Sequence, residues 1–437
     1  MIDVRFCNYN MDYQQRLGFL KWLCRVGKGA RGGPNEFLNR VRALYPDPER
    51  PRTPSSFESR NRLEPNKLLH TDEAPSWSVG FVPKRLDRLI LWAEMVGLIA
   101  PSGRLSEWVT ILEGLERNLN EKDLIEDNPF ILSIEERAFF IQLLFYHDQV
   151  LPYLICHLAK LNTDAKIDVA SSCIYIIQSL GDFLEQLRGN GLDEIRVRLE
   201  LRDLLERIGR QYHLDDPRRI VNSETRADFV REFKAGKLKK VRVHLAEYHA
   251  VCRFEQLTDL GLLTKESPNH PANDLRTKED VRTSWTWYVT PRLTTAAQII
   301  APQIANLESF LGESWISFCA AALGQKVKAL DAFSDQRQIA AFLDDTLPLA
   351  RRQIGPVQMH TWGCLSCLKA FRQGYLLELK TIERLLEAMR IDPHTSDAVR
   401  LSGRTELRGR TAAVPRTGLS ELLKDHAIRE GEPHGRN

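Results

Sequence analysis

The stretch from Arg253 to Ala297 constrains the fold more than any other part of the chain. Apolar residues recur at helical spacing from Phe254 to Leu260, and Gly261 stands where a helix can end in the left-handed conformation. Two aliphatic residues and a polar loop come next. A run rich in aromatic and β-branched residues, from Trp285 to Val289, then suits a strand. The stretch therefore predicts a helix, a glycine stop and a β-hairpin.

A second stretch, from Arg85 to Ile99, has the same order. An amphipathic helix is predicted to stop at Gly97, two aliphatic residues come after it, and residues 101–103 form a turn. Residues 105–112 could then supply a strand or a further helix. Aligning the two glycine stops suggests two copies of one module.

Between these stretches, residues 120–215 have an almost wholly helical pattern. Ser133 with Glu136 matches an N-cap followed three residues later by an acid. Two more helices are predicted from Ile174 to Leu187 and from Ile195 to Ile208, and the second is heavily charged on its outer face. This region reads as a helical scaffold or interaction surface.

The order of helix, glycine stop, strand, long turn and returning strand resembles the winged-helix family, the helix-turn-helix variant with a β-hairpin after its third helix. The resemblance covers residues 85–112 and 218–297. It implies a fold that is mainly α, with winged-helix modules and small β-hairpins embedded in a multi-helix scaffold. It also implies duplex DNA as a partner, because winged helices place the third helix in the major groove and contact phosphates with the wing and flanking turns.

The resemblance assigns DNA contacts to residues on the two predicted modules and on the basic turns beside them. Arg253 and Gln256 would lie on or near the outer face of the second module's helix. The full set of candidate DNA-binding residues is Lys28, Arg31, Lys84, Arg85, Arg88, Lys237, Lys239, Lys240, Arg242, Arg253 and Gln256. The net charge of +3 argues for no partner by itself, so the argument depends on how these residues are distributed.

Length and composition indicate a soluble protein of several domains. A chain of 437 residues exceeds what one core usually supports, and 43% hydrophobic with 27% charged residues is ordinary for a globular protein. We see neither a signal-like N-terminus nor an apolar run near the roughly 20 residues that span a bilayer, so we expect a cytoplasmic protein that does not contact membrane. The predicted segments are an N-terminal winged-helix-like domain at 1–118, a helical domain at 119–217, a second winged-helix domain at 218–305, a C-terminal helical domain at 306–394 and a basic flexible tail at 395–437.

Metal-ligand residue types cluster at His360, Cys364 and Cys367. A Cys-x-x-Cys pair is half of a structural zinc site, but a second pair at short spacing is missing from the sequence. Zinc is therefore the one cofactor that the sequence offers, and two buried thiols on a helix are the simpler interpretation. Glu378 and Lys380 match the Glu-x-Lys order of metal-dependent nucleases, although their helical surroundings do not suit that core.

Three classes of function stay open. Winged-helix proteins of this size without catalytic motifs are similar to the DNA-recognition parts of type IIS restriction enzymes and to accessory proteins of bacterial antiviral defence systems, which implies a non-catalytic subunit that delivers a partner protein to DNA. Such a subunit predicts that its basic residues gather on one surface. A protein-interaction scaffold predicts an apolar patch over the helices of residues 130–210. An enzyme predicts a pocket lined by convergent acids or by the His360 cluster, but we expect no small-molecule substrate.

Overall fold

A computed structural model describes most of the chain and shows that it is mainly helical. The structure describes residues 4–9, 17–27, 86–100, 105–116, 132–189, 191–214, 223–238, 245–266, 285–351, 356–403, 409–415, 418–424 and 426–428.

The helices of the described ranges are α1 (Leu17–Gly27), α2 (Leu86–Met95), α3 (Glu107–Leu115), α4 (Ile134–His147), α5 (Leu151–Leu158), α6 (Val169–Gln186), α7 (Leu192–Tyr212), α8 (Ser223–Leu238), α9 (Leu245–Asp259), α10 (Pro291–Ile300), α11 (Leu307–Glu313), α12 (Trp315–Leu323), α13 (Gln336–Ala350), α14 (Met359–Arg372), α15 (Leu379–Ile391) and α16 (Leu419–Leu422). The strands are β1 (Ile167–Asp168), β2 (Leu263–Glu266), β3 (Thr286–Val289), β4 (Lys328–Ala329), β5 (Val357–Gln358), β6 (Tyr375–Leu376), β7 (Arg400–Gly403) and β8 (Arg410–Ala413).

The predicted hairpin is present in the middle of the chain. β2 and β3 pair antiparallel, with Leu263 opposite Val289 and Glu266 opposite Thr286. The short strand β1 pairs antiparallel with the other edge of β3, which gives a three-stranded sheet in the order β1-β3-β2. The sheet therefore joins the chain before α6 to the hairpin that comes after α9.

Both predicted glycine stops are confirmed. Gly97 has a φ of +71° and Gly261 a φ of +75°, so each lies in the left-handed region that favours glycine. In each case the amide of the next residue bonds back over five residues, from Leu98 to Ala93 and from Leu262 to Leu257. This is the pattern that satisfies the last carbonyls of a helix. The chain differs after the two stops, because a single β-bridge between Ile99 and Leu105 takes the place of a hairpin after Gly97.

The predicted N-cap of α4 is also confirmed. The Ser133 hydroxyl accepts a hydrogen bond from the Glu136 amide, and the Glu136 carboxylate accepts one from the Ser133 amide. The two bonds satisfy amides that otherwise have no partner at a helix start. They explain why α4 begins at Ile134.

The apolar core runs through every predicted segment. The buried apolar side chains form a cluster that extends from Phe6 to Ile428, and α3 near the N-terminus packs on α14 near the C-terminus. The helix α6 packs on α9 in the middle of the chain. The division of the chain into domains stays a prediction.

The segment 395–437, which we expected to be flexible, is folded where the structure describes it. It contains β7, β8 and α16, and several of its apolar residues, among them Leu419 and Ile428, are buried. Its basic residue Arg410 forms ion pairs with Glu383 and Glu387 on α15. A residue expected in a solvated tail therefore holds β8 against α15. No helix within the described ranges has the length and apolar character needed to cross a membrane.

Candidate functional site

The helix α9, which the resemblance assigned to the DNA major groove, lies inside the protein. Twelve of its fifteen residues are buried. The segment 4–9 lies across one side of it, α6 packs on another, and β2 is joined to its C-terminus. A helix enclosed in this way cannot enter the groove of a duplex.

Arg253 is the centre of a buried polar network beneath the segment 4–9. Its guanidinium donates to the Asp148 carboxylate at 2.8 Å and to the carbonyl of Cys7 at 3.0 Å, and both ionic side chains are fully buried. It also lies over the ring of Tyr9, with 4.7 Å to the ring centroid. Burial lowers the pKa of Arg253, but the charge of Asp148, its hydrogen bond to Arg253 and the neighbouring Tyr9 and Cys7 together raise the pKa above its ordinary value.

A histidine one turn earlier completes this network as a neutral group. Burial, and then the charge of Arg253, hold the pKa of His249 well below its ordinary value. Its Nδ1 lies 3.0 Å from a guanidinium nitrogen of Arg253. Because arginine can only donate, the neutral ring accepts this bond. The network therefore pairs a buried cation with a buried carboxylate, which is the requirement for keeping a charge away from water.

Gln256 is equally enclosed. Its amide group exchanges two hydrogen bonds with the Tyr9 hydroxyl, at 3.0 and 3.2 Å, and its side chain is fully buried. The prediction that Arg253 and Gln256 lie on an outer, DNA-contacting face is therefore wrong. The polar face of α9 looks solvent-exposed in the sequence because the segment that covers it lies nearly 250 positions away, 246 for Arg253 and Cys7.

The other DNA-binding candidates have no described side chains. Arg88 lies in α2 and Lys237 in α8, where the structure describes the backbone only. The remaining candidates, Lys28, Arg31, Lys84, Arg85, Lys239, Lys240 and Arg242, lie outside the described residues.

A second buried charge connects α9 to the hairpin. Lys265 on β2 lies 2.9 Å from the Glu255 carboxylate and 3.4 Å from the centroid of the Trp285 ring. The indole of Trp287 donates to the same carboxylate at 3.1 Å. The hairpin is thus held to α9 by a desolvated ion pair between two indoles, an arrangement that fixes position and offers no open site.

The cysteine cluster of α14 is buried. Cys364 Sγ lies 3.1 Å from Gln142 Oε1 and 3.6 Å from His360 Nε2. Burial raises the pKa of Cys367 well above its ordinary value, because the charged thiolate is disfavoured away from water. Among the residues that the structure describes, no three His, Cys, Asp or Glu side chains converge so as to hold a metal ion. The geometry matches the interpretation of two buried thiols on a helix.

Glu378 has a structural partner in place of a nuclease centre. Its carboxylate accepts bonds from the Ile316 amide at 3.1 Å and from the Ser317 amide at 2.8 Å. It therefore caps the N-terminus of α12 from another part of the chain. A helix was expected to include the whole triplet, but β6 precedes Glu378 and α15 starts at Leu379.

The sequence interpretation missed the outer face of α7. It predicted a heavily charged surface, yet Leu192, Ile195 and Leu199 are 88%, 43% and 60% exposed there. Their spacing of three and then four residues puts them in one row along the helix, opposite the buried row that includes Val197, Leu201 and Leu204. The signal that could have revealed this row was a second apolar repeat out of phase with the first. We call these three residues the α7 row.

No family model, no curated protein and no solved structure matched the chain.

Proposed function

We propose that the protein is a non-catalytic interaction scaffold whose assembly surface is the α7 row, and that this row binds a second copy of the chain. The observation that supports the proposal is the exposure of three aliphatic side chains in line on one helix. Single exposed aliphatic residues are ordinary on protein surfaces, whereas an aligned row is the pattern by which helices bind other helices.

The spacing of the row makes it complementary to itself in the antiparallel orientation. In an antiparallel pair centred near Ile195, Leu192 of one copy lies beside Leu199 of the other. The same patch thus serves both subunits, as a two-fold axis requires.

The size of the row sets the expected strength of association. A stable dimer buries about 800 Å² on each partner, which three side chains do not supply alone. We therefore expect a weak dimer whose population depends on concentration.

Sedimentation equilibrium over a concentration series tests the proposal. The apparent mass should rise from that of the 50.2 kDa chain towards twice that value, and Leu199→Asp should hold it at the monomer. Ile391→Asp is the matched control, because Ile391 is 65% exposed on a different helix, α15. A wild-type monomer at all concentrations, or a Leu199→Asp variant that dimerises as well as the wild type, would sink the proposal.

A second candidate, duplex DNA binding without the α9 helix, is favoured by the order of elements in the middle of the chain. Helix α5, strand β1, helix α6, helix α9 and the hairpin occur in the order of a winged helix, with α7 and α8 between its second and third helices. The strand order β1-β3-β2 supports the same assignment. With α9 enclosed, DNA contacts would fall to the hairpin and to the basic residues at 237–242, as phosphate contacts without base readout. An accessory role beside a partner enzyme of a defence system would follow from this candidate only.

Fluorescence anisotropy of a labelled duplex tests the second candidate. Affinity should fall steeply as salt rises, and charge reversal at Lys239, Lys240 and Arg242 should abolish it. Charge reversal at Lys424, which is exposed in a distant part of the sequence, is the control. Absence of binding even at low salt would remove this candidate and leave the scaffold proposal intact.

A further inference from the structure

A cavity of about 500 Å³ lies between the helices α6 and α8. Its apolar lining comes from Ile174, Ala227 and Val230, and its polar lining from two hydroxyl residues and two arginines: Ser171, Tyr175, Arg226 and Arg231. None of these residues belongs to the α7 row or to the buried network around Arg253.

The two arginines differ in what neutralises them. Arg231 pairs with Asp228 at 2.8 Å and has Glu232 at 3.7 Å, and it is 69% exposed. Arg226 is half-buried and has no acidic partner within the described ranges. Its Nε is buried and donates to no described acceptor, and its one recorded contact is the Tyr175 ring, with 6.0 Å to the centroid. A desolvated guanidinium nitrogen without an acceptor is costly, so a partner at this position would be strongly favoured.

The surroundings of Arg226 also favour negative charge. Arg226 lies in the first turn of α8, and Ser171 lies in the first turn of α6, where helix dipoles are positive. The Asp168 carboxylate already accepts the Ser171 amide at 2.8 Å, so it neutralises part of that field at α6 but does not contact Arg226. The Ser171 hydroxyl forms no hydrogen bond within the described part of the chain and is a further donor for a ligand oxygen.

We infer that this cavity binds a small organic anion, with a phosphate or carboxylate head on Arg226 and an apolar body against Ile174, Val230 and the Tyr175 ring. The guanidinium fork suits planar two-point contact with either head group. A bare inorganic ion would fill only part of the space and would leave the apolar lining without a contact. The inference does not depend on the proposed scaffold function, since none of the cavity residues belongs to the α7 row.

Isothermal titration of the full chain with phenyl phosphate, benzoate and the neutral benzyl alcohol tests the inference. We expect both anions to bind and benzyl alcohol to bind at least about tenfold more weakly. Arg226→Gln should weaken both anions by about tenfold or more, while Arg231→Gln, the matched control, should leave them within about twofold because Arg231 is already neutralised. Arg226→Lys, which keeps the charge and loses the fork, should fall between the two.

Three results would overturn the inference. They are no binding of either anion, equal binding of benzyl alcohol, and an equal loss in Arg226→Gln and Arg231→Gln. If Arg226→Gln fails to fold, the comparison of Arg226→Lys with the wild type decides, because unchanged anion affinity in the lysine variant also counts against the guanidinium fork.

Discussion

The helices α7 and α9 both depart from the rule that apolar side chains are buried and charged ones exposed, and they do so in opposite ways. On α9, charged and polar residues such as Arg253, Glu255 and Gln256 are buried. On α7, the aliphatic residues Leu192 and Leu199 are exposed. The difference teaches that burial is decided by what covers a helix and not by the helix's own composition. α9 is covered on all sides, whereas α7 is covered on one.

The enclosed helix tolerates its charges because each has a partner. Arg253 has Asp148, and Glu255 has Lys265 and the Trp287 indole. Buried pairs of this kind contribute little to stability in themselves, but removing one partner leaves the other uncompensated. Substitutions at these pairs, and on the exposed row of α7, therefore test whether the two helices differ in burial as the structure shows.

The largest effect is expected from Arg253→Met. This change leaves Asp148 buried without its cation and should lower the free energy of unfolding by about 3–5 kcal/mol, measured by urea denaturation. Arg231→Met, which removes an exposed arginine, should change it by less than about 0.5 kcal/mol. Similar values for the two variants would mean that α9 is not enclosed as described.

A nearly equal loss is expected from Leu201→Ala on the buried side of α7. Leu201 is fully buried, so truncation removes apolar contacts and leaves a cavity that should cost about 2–5 kcal/mol. Leu199→Ala, two residues earlier on the exposed side, is the matched control and should cost much less. The ratio of the two values measures how one-sided α7 is. A cost for Leu199→Ala close to that of Leu201→Ala would show that its outer face is already covered within the monomer.

Glu378 differs from the buried charges of α9, because it accepts hydrogen bonds from backbone amides and has no cationic partner among the described residues. Burial raises its pKa from an ordinary value of 4.5 to about 7, and the hydrogen bonds from Ile316 and Ser317 offset part of that rise. The folded chain therefore keeps a proton between pH 4.5 and 7 that the unfolded chain has released. Protonation of Glu378 therefore contributes roughly 3 kcal/mol to the free energy of unfolding below pH 4.5, and this contribution is lost as pH rises through 7.

Urea denaturation at pH 5 and at pH 7.5 measures this dependence in the wild type and in Glu378→Gln. The stability of the glutamine variant should change less with pH, because an amide does not titrate in this range. Glu421→Gln, on the surface of α16, should keep the wild-type slope. An unchanged slope in Glu378→Gln would remove the assignment of the pH dependence to this residue.

The smallest effect on stability is expected from Leu199→Asp. A charged residue on the exposed face should change the free energy of unfolding by less than about 0.5 kcal/mol in dilute solution, where the chain is monomeric. At high concentration the difference from the wild type should grow, because only the wild type gains from association. A large loss in dilute solution would show that Leu199 is packed within its own chain.

Local features were predictable from the sequence, but the burial of a helix by a distant segment of the chain was not. The stop at Gly261 and the hairpin arise from glycine conformation and strand propensity, which act within a few residues. The cap of α4 depends on Ser133 and Glu136 alone. The burial of Arg253, in contrast, depends on the segment 4–9, and no periodicity within α9 contains that information.

The same limit explains the errors at the C-terminus and on α7. Apolar residues are sparse beyond Pro393, so composition indicated a mobile tail. Ala412 on β8 and Leu419 on α16 are nevertheless buried, one in the sheet of β5, β7 and β8 and the other in the helix. On α7 the charged residues dominated the interpretation, and the aliphatic row among them was overlooked. Cys364 and Cys367 are buried on a helix, as predicted, because cysteine in an apolar helix is usually core.

The contact of the segment 4–9 with α9 sets an order of events during synthesis. Cys7 and Arg253 are 246 positions apart, so the ribosome adds residues for about 10–50 s after making one partner before it makes the other. Through that interval Cys7 can already bond to His147 and Asp148, but its contact with Arg253 and the contact of Tyr9 with Gln256 must wait. The segment 4–9 therefore has only part of its native contacts until α9 is made, and completion of the buried network around Arg253 waits for that helix.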